Sequence, residues 1–132
     1  MESKLTLTQS TDNYSIATVG DLASFQGKTF IKDLMGTTSM EVSLGTLNPG
    51  EGVPFFHAHK QNEEVYIIIK GNGTITLDGQ KTPVASGSIV RVAPQVSRTI
   101  SCEGTETMLY ICAQAKASSL EQSVATDAII EQ

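Results

Sequence analysis

The sequence predicts an all-β domain, either a sandwich or a small barrel. β-Branched residues dominate it: 11 Ile, 9 Val and 15 Thr make up 35 of the 132 residues, and these side chains fit a pleated, half-buried surface. Short β-like segments also recur about every 8–12 residues between Gly, Asn, Asp and Pro, the spacing expected of sandwiches and barrels. At 14.1 kDa, with 39% apolar and 17% charged residues, the balance is that of one folded core with no need of a metal or disulfide merely to fold.

The expected layout is one domain over residues 1–132, with an N-terminal strand arm (1–37), a barrel core at about 38–114 and a C-terminal tail (115–132). In the arm, Leu5-Thr6-Leu7-Thr8 alternates as an extra strand with no obvious partner in the chain. From Thr38 the pattern sharpens: Met40, Val42 and Leu44 alternate with polar residues, and Asn48-Pro49-Gly50 marks a turn. Phe55 to His59 and Val65 to Ile69 read as strands, and Gly71-Asn72-Gly73 reads as a hairpin. Thr74 to Leu77 closes on Asp78-Gly79, which suits a type I′ turn because both central residues tolerate positive φ. Ser86-Gly87 introduces a strand from Ile89 to Val92, and Ala93-Pro94-Gln95 ends it. Ser97 to Cys102 and Thr107 to Cys112 flank Glu103-Gly104 as a last hairpin. That pairing would set the two cysteines about 17 Å apart along the strands, beyond the ~7 Å Cα reach of a disulfide. The tail could begin a short helix at Ser118 or Ser119.

Charge excludes several partner classes. The net charge is −5 with a pI near 4.9, and the basic residues are scattered singly, with two arginines, Arg91 and Arg98. A duplex-binding face needs clustered cations to displace phosphate counterions, so no nucleic-acid partner is expected. No apolar run approaches the ~20 residues that cross a bilayer, so no membrane partner is expected either. The first ten residues carry no apolar core after Lys4, so a secretory signal is not expected and the location is expected to be cytoplasmic, with reduced thiols.

The two histidines of the chain are His57 and His59. On a strand, residues i and i+2 face the same way, so two imidazoles can converge on one ion. Glu63 and Glu64 follow beyond a Lys60-Gln61-Asn62 turn, and a returning strand would bring one carboxylate opposite the histidines. Imidazole and carboxylate together suit a divalent metal such as Zn, Fe, Mn or Ni. The bland alternative is a pair of rim histidines beside a solubilising turn.

The stretch from Gly50 to Gly71 closely resembles the first signature of the cupin superfamily: Gly, five residues, His-x-His, three or four residues, Glu, six residues, Gly. Glu64 and Gly71 satisfy the closing spacing, whereas Glu51, flanked by Gly50 and Gly52, stands at the leading Gly. A degraded second signature runs from Gly87. There Ala93 and Gln95 replace Pro and Gly, Arg98 stands where the remaining metal-binding His would be, and Cys102 replaces Asn. The resemblance spans about Thr38 to Gln114 and implies a double-stranded β-helix, the cupin jelly-roll barrel, forming homodimers. It implies His57, His59 and Glu64 as metal ligands, and it does not name a reaction, since the fold hosts isomerases, dioxygenases, storage proteins and regulatory domains.

Arg98 opens alternatives at that site. Its guanidinium stays charged and repels a nearby cation. It can pair with Glu64 or Glu63 in a metal-free pocket, clamp an anionic ligand beside a metal, or face solvent. Parity with Ile100 and Cys102 disfavours the last. Tyr66 can present its hydroxyl to a ligand, while Phe55 and Ile68 read as core. The expected function is the binding of a small, anionic molecule in the barrel pocket, through a divalent metal. The alternative is a metal-free binding or sensing module with Arg98 paired to Glu64.

Overall fold

The computed structural model describes residues 2–131. Ten strands are arranged in three antiparallel sheets. A hairpin of β1 (Thr6–Ser10) and β2 (Ser15–Thr18) leads to β3 (Lys28–Phe30), the one-turn helix α1 (Lys32–Met35) and β4 (Glu41–Leu47). Then follow β5 (Asn62–Lys70), β6 (Asn72–Leu77), β7 (Gln80–Ala85), β8 (Ile89–Val92), β9 (Arg98–Cys102) and β10 (Met108–Lys116). One sheet has the order β3-β4-β10-β5-β8, and a smaller one the order β7-β6-β9. Among the described residues, no helix is long and apolar enough to cross a membrane.

The core lies between these two sheets, because alternate residues of their strands turn inward. Tyr66 and Ile68 of β5, Ile100 and Cys102 of β9, and Met108, Tyr110 and Cys112 of β10 are all buried there with Ile75, Val84 and Val92. Both cysteines are free thiols. The opposite face of the larger sheet carries an apolar row in register: Leu44, Ile111, Ile67 and Ile89.

Several local expectations give way to the jelly-roll path. Gly71 does not turn a hairpin; it carries the chain from β5 in the larger sheet to β6 in the smaller one. It has φ +86°, and a Cβ there would come within 2.7 Å of the Met108 backbone, so both conformation and space require glycine. Nor do β9 and β10 form a hairpin: β9 pairs with β6, and β10 lies between β4 and β5. Sequence adjacency favoured the hairpin, but long-range pairing across the barrel overrides it. The β6–β7 hairpin, by contrast, turns on Asp78 and Gly79 with φ 49° and 82°, as the type I′ reading requires.

The ends differ from expectation too. β1 finds its partner inside the arm, in β2. β3 belongs to the larger sheet, so the barrel draws on residues before 38. The tail forms turns and a single 3₁₀ turn, Ala125–Asp127, in place of a helix. Leu120, Ile129 and Ile130 stand exposed there, so the tail's apolar side chains lack packing partners, and short helices need tertiary packing to persist.

Candidate metal centre and its pocket

Glu64 is placed by strand parity: it points inward from β5, and its residue is 3% exposed. The histidines come from a different kind of segment. Residues 55–59 form no strand; they are tied to β9 by one antiparallel bridge between His57 and Arg98. His57 N–H donates to the Arg98 carbonyl at 3.1 Å and Arg98 N–H returns to the His57 carbonyl at 2.9 Å. Gln95 N–H then donates to the His59 carbonyl at 2.8 Å. The expected inward-facing strand is therefore replaced by an extended strap. Its side chains still converge, with the His57 and His59 rings edge to face at 5.2 Å.

His57, His59 and Glu64 each offer a donor atom, and those atoms lie within 4.8 Å of one another. Glu64 Oε2 is 3.0 Å from His59 Nε2. That is hydrogen-bond distance, and with His57 the three donor atoms are close enough together to share one ion. The other oxygen, Oε1, accepts from the Tyr66 hydroxyl at 3.2 Å and faces Arg98 Nε at 3.6 Å. A carboxylate so held has one oxygen anchored by the protein and one turned to the histidines. Burial holds the His57 imidazole below its ordinary pKa, Glu64 opposing and Arg98, His59 and Lys28 assisting. The neutral ring is the form that ligates metal.

Arg98 is fully buried, and its three guanidinium nitrogens have no hydrogen-bond partner; His57 Nδ1 is likewise unpartnered. Its burial corrects the reading in which Arg98 faces solvent. Glu63 is also corrected as a pocket residue: it points out of the barrel from β5, bonds Arg91 at 2.6 Å, and lines a separate outer cleft of about 870 Å³. The period-2 rule requires that outcome once Glu64 faces inward.

A cavity of about 470 Å³ opens beside the three donors, with Leu47, Val53, Pro54, Phe55 and Ile100 among its apolar walls. Phe55, expected in the core, is 58% exposed at this wall. Tyr66 reaches the cavity, but its hydroxyl is spent on Glu64, and its pKa is raised by burial and then by Cys112 and Glu64. The Cys112 thiol is pushed up to about 12 by burial and then by Glu64.

Among the wall residues that sequence reasoning missed are Lys28, Tyr110 and Cys112. Lys28 Nζ sits 3.3 Å from the Tyr110 hydroxyl and 5.0 Å from the centre of its ring. It comes from β3, inside the stretch read as an arm, where a three-residue strand leaves almost no periodic signal.

The family model described as the cupin domain matches residues 43–113. A cupin protein from Bacteroides fragilis is similar in structure with a TM-score of 0.85 and 38% identity, over 92% of this chain and 100% of that one. A putative sugar phosphate isomerase from Acidithiobacillus ferrooxidans aligns with a TM-score of 0.61 and 27% identity, over 67% of this chain and 58% of that one. An uncharacterised protein of Methanocaldococcus jannaschii is 32% identical over 56 residues, 42% of this chain and 45% of that relative's length.

Proposed function

This chain belongs to the cupin family, and from that premise we propose that it binds a small anionic molecule in its barrel pocket through a divalent metal held by His57, His59 and Glu64. The observation that carries this reading is the His59–Glu64 separation of 3.0 Å, with all three donors within 4.8 Å. Two imidazoles and one carboxylate are the donor set of facial-triad metal sites. A divalent ion held by these three residues would supply Lewis acidity beside the cavity. The chain's own residues prepare that position. Tyr66 fixes Oε1 of Glu64, Arg98 balances the carboxylate charge from the far side, and burial keeps His57 neutral. Apolar side chains, Leu47, Val53, Pro54 and Ile100 among them, line much of the rest of the pocket. A divalent ion at this wall would favour an anionic ligand in the cavity.

A second reading rests on the Arg98–Glu64 contact at 3.6 Å: the carboxylate already has its countercharge, and the pocket binds an organic ligand without metal. Titration calorimetry with Mn²⁺, Fe²⁺, Ni²⁺ and Zn²⁺ separates the two. The metal reading expects the protein to bind at least one ion, His57→Ala to abolish binding, and Arg98→His to retain it. Should the protein, His57→Ala and Arg98→His all bind none, the pocket is a purely organic site.

We also propose a homodimer. The row of Leu44, Ile111, Ile67 and Ile89 lies on the outside of the larger sheet, with Ile89 71% exposed. The β1–β2 hairpin is a sheet of its own. Two-stranded hairpins are marginal alone in water, and apolar sheet faces are ordinarily covered. A cytoplasmic location accords with the two free thiols.

A further inference from the structure

We propose that Lys28, and not Arg98, receives the anionic group of the ligand, and that the pocket takes a small monocarboxylate with an apolar body. The proposal rests on the reading of this cavity as the ligand pocket. Arg98 was the sequence's candidate for an anion clamp, but its side chain is sealed within the barrel behind Glu64 and forms no part of the cavity wall. Among the described residues lining the cavity, Lys28 is the one lysine or arginine.

Lys28, an exposed residue of β3, lines the cavity. Its ammonium lies 5.0 Å from the Tyr110 ring centre and 5.4 Å from that of Phe30, and it donates to the Tyr110 hydroxyl at 3.3 Å. Among the described residues, no carboxylate lies within ion-pair distance of it; the four ion pairs there involve Lys32, His59, Arg91 and Arg98. Aromatic faces attract a cation without neutralising it, so the charge remains available to an anion.

The backbone opposite is cut to admit this arrangement. Lys28 pairs with Gly45 across β3 and β4. A Cβ on Gly45 would come within 2.9 Å of Tyr110 Cζ and 3.1 Å of Lys28 Cδ. Glycine thus lets the ring and the lysine stem share one site. A single ammonium, a point charge with three donors, matches one carboxylate. Leu47, Val53, Pro54 and Ile100 match an apolar body, and the volume of about 470 Å³ lies in the range of small-ligand pockets.

The test uses phenylacetate, phenylacetamide and phenyl phosphate as probes in ligand-observed NMR, with a Mn²⁺ titration of each protein alongside. Phenylacetate should bind the protein more tightly than the other two. Lys28→Met should weaken phenylacetate by about tenfold while leaving the amide unchanged, and Lys28→Arg should restore most of the loss. Both variants should keep the melting profile of the parent. If phenylacetate binds no better than its amide, or Lys28→Met leaves the preference intact, the proposal is overturned, whatever Mn²⁺ does. If phenyl phosphate is preferred, the carboxylate assignment is overturned. If the carboxylate preference depends on Lys28 while no protein binds Mn²⁺, the proposal stands and the metal reading fails.

Discussion

Replacing Arg98 with Met tests the electrostatics of the centre, because Met fills similar space and carries no charge. Two consequences of opposite sign are expected. The guanidinium nitrogen is 3.6 Å from Glu64 Oε1, with both side chains buried. At an effective dielectric near 20 that attraction is about 4–5 kcal/mol. Breaking a buried pair by removing one partner ordinarily costs about 3–5 kcal/mol. Tyr66 and His59 still hold the carboxylate, so about 3 kcal/mol is expected for the metal-free protein, a fall in Tm on the order of 10 °C. Metal affinity should move the other way. A divalent ion held by His57, His59 and Glu64 would be repelled by the buried guanidinium beside Glu64. His59 is 28% exposed, so solvent screens part of this repulsion, and a gain on the order of tenfold or more in affinity is expected. Calorimetry with Mn²⁺ and Zn²⁺, and denaturant melts with and without metal, read both effects. A variant that binds metal no tighter than the parent refutes the placement of Arg98 as an opposing charge. An unchanged metal-free Tm refutes its role as the counter-ion of Glu64.

Other outcomes are expected from the same geometry. Tyr66→Phe removes the hydroxyl that donates to Glu64 Oε1 and should cost about 1–2 kcal/mol in urea melts; a variant as stable as the parent would mean that bond contributes nothing. Gly73→Ala would drive a methyl into the Ser101 carbonyl oxygen and the Met108 side chain, so a loss of at least about 3 kcal/mol or failure to fold is expected, and a parent-like melt contradicts the packing. Cys112, pushed up to about 12, should resist a thiol reagent at pH 8 until the protein unfolds; rapid labelling of folded protein refutes its burial. Because that folded value exceeds the unfolded one, its stabilisation is full below about pH 9 and declines as pH rises toward 12. Sedimentation at micromolar concentration should give a dimer, and a monomer refutes the homodimer.

Much of the barrel was legible because its strands are regular and locally punctuated. β5 and β6 carry clear runs, and Asp78-Gly79 declares its own turn type. The resemblance to the first cupin signature singled out Glu64 over Glu63, and the parity of β5 gives them opposite faces. What stayed hidden depends on contacts between residues distant in the chain. Gly71 offers the same letters for a hairpin as for a crossing between sheets, and the Met108 backbone pressed against it decides. The histidine strap lacks a ladder of its own and leans on β9, some forty residues on. Lys28 was out of reach because its approach to Tyr110 depends on Gly45, a residue on another strand.

The strap also divides the centre into parts of unequal firmness. Glu64 stands in a nine-residue strand paired on both sides, by β10 and β8. His57 and His59 hang on a few backbone bonds to Arg98 and Gln95. Local opening follows the number of bonds that must break together, so amides of residues 53–59 should exchange with deuterium well before those of residues 62–70. An ion joining the two parts would lend the strap the protection of the strand, making exchange at His57 and His59 a record of occupancy that needs no knowledge of the reaction.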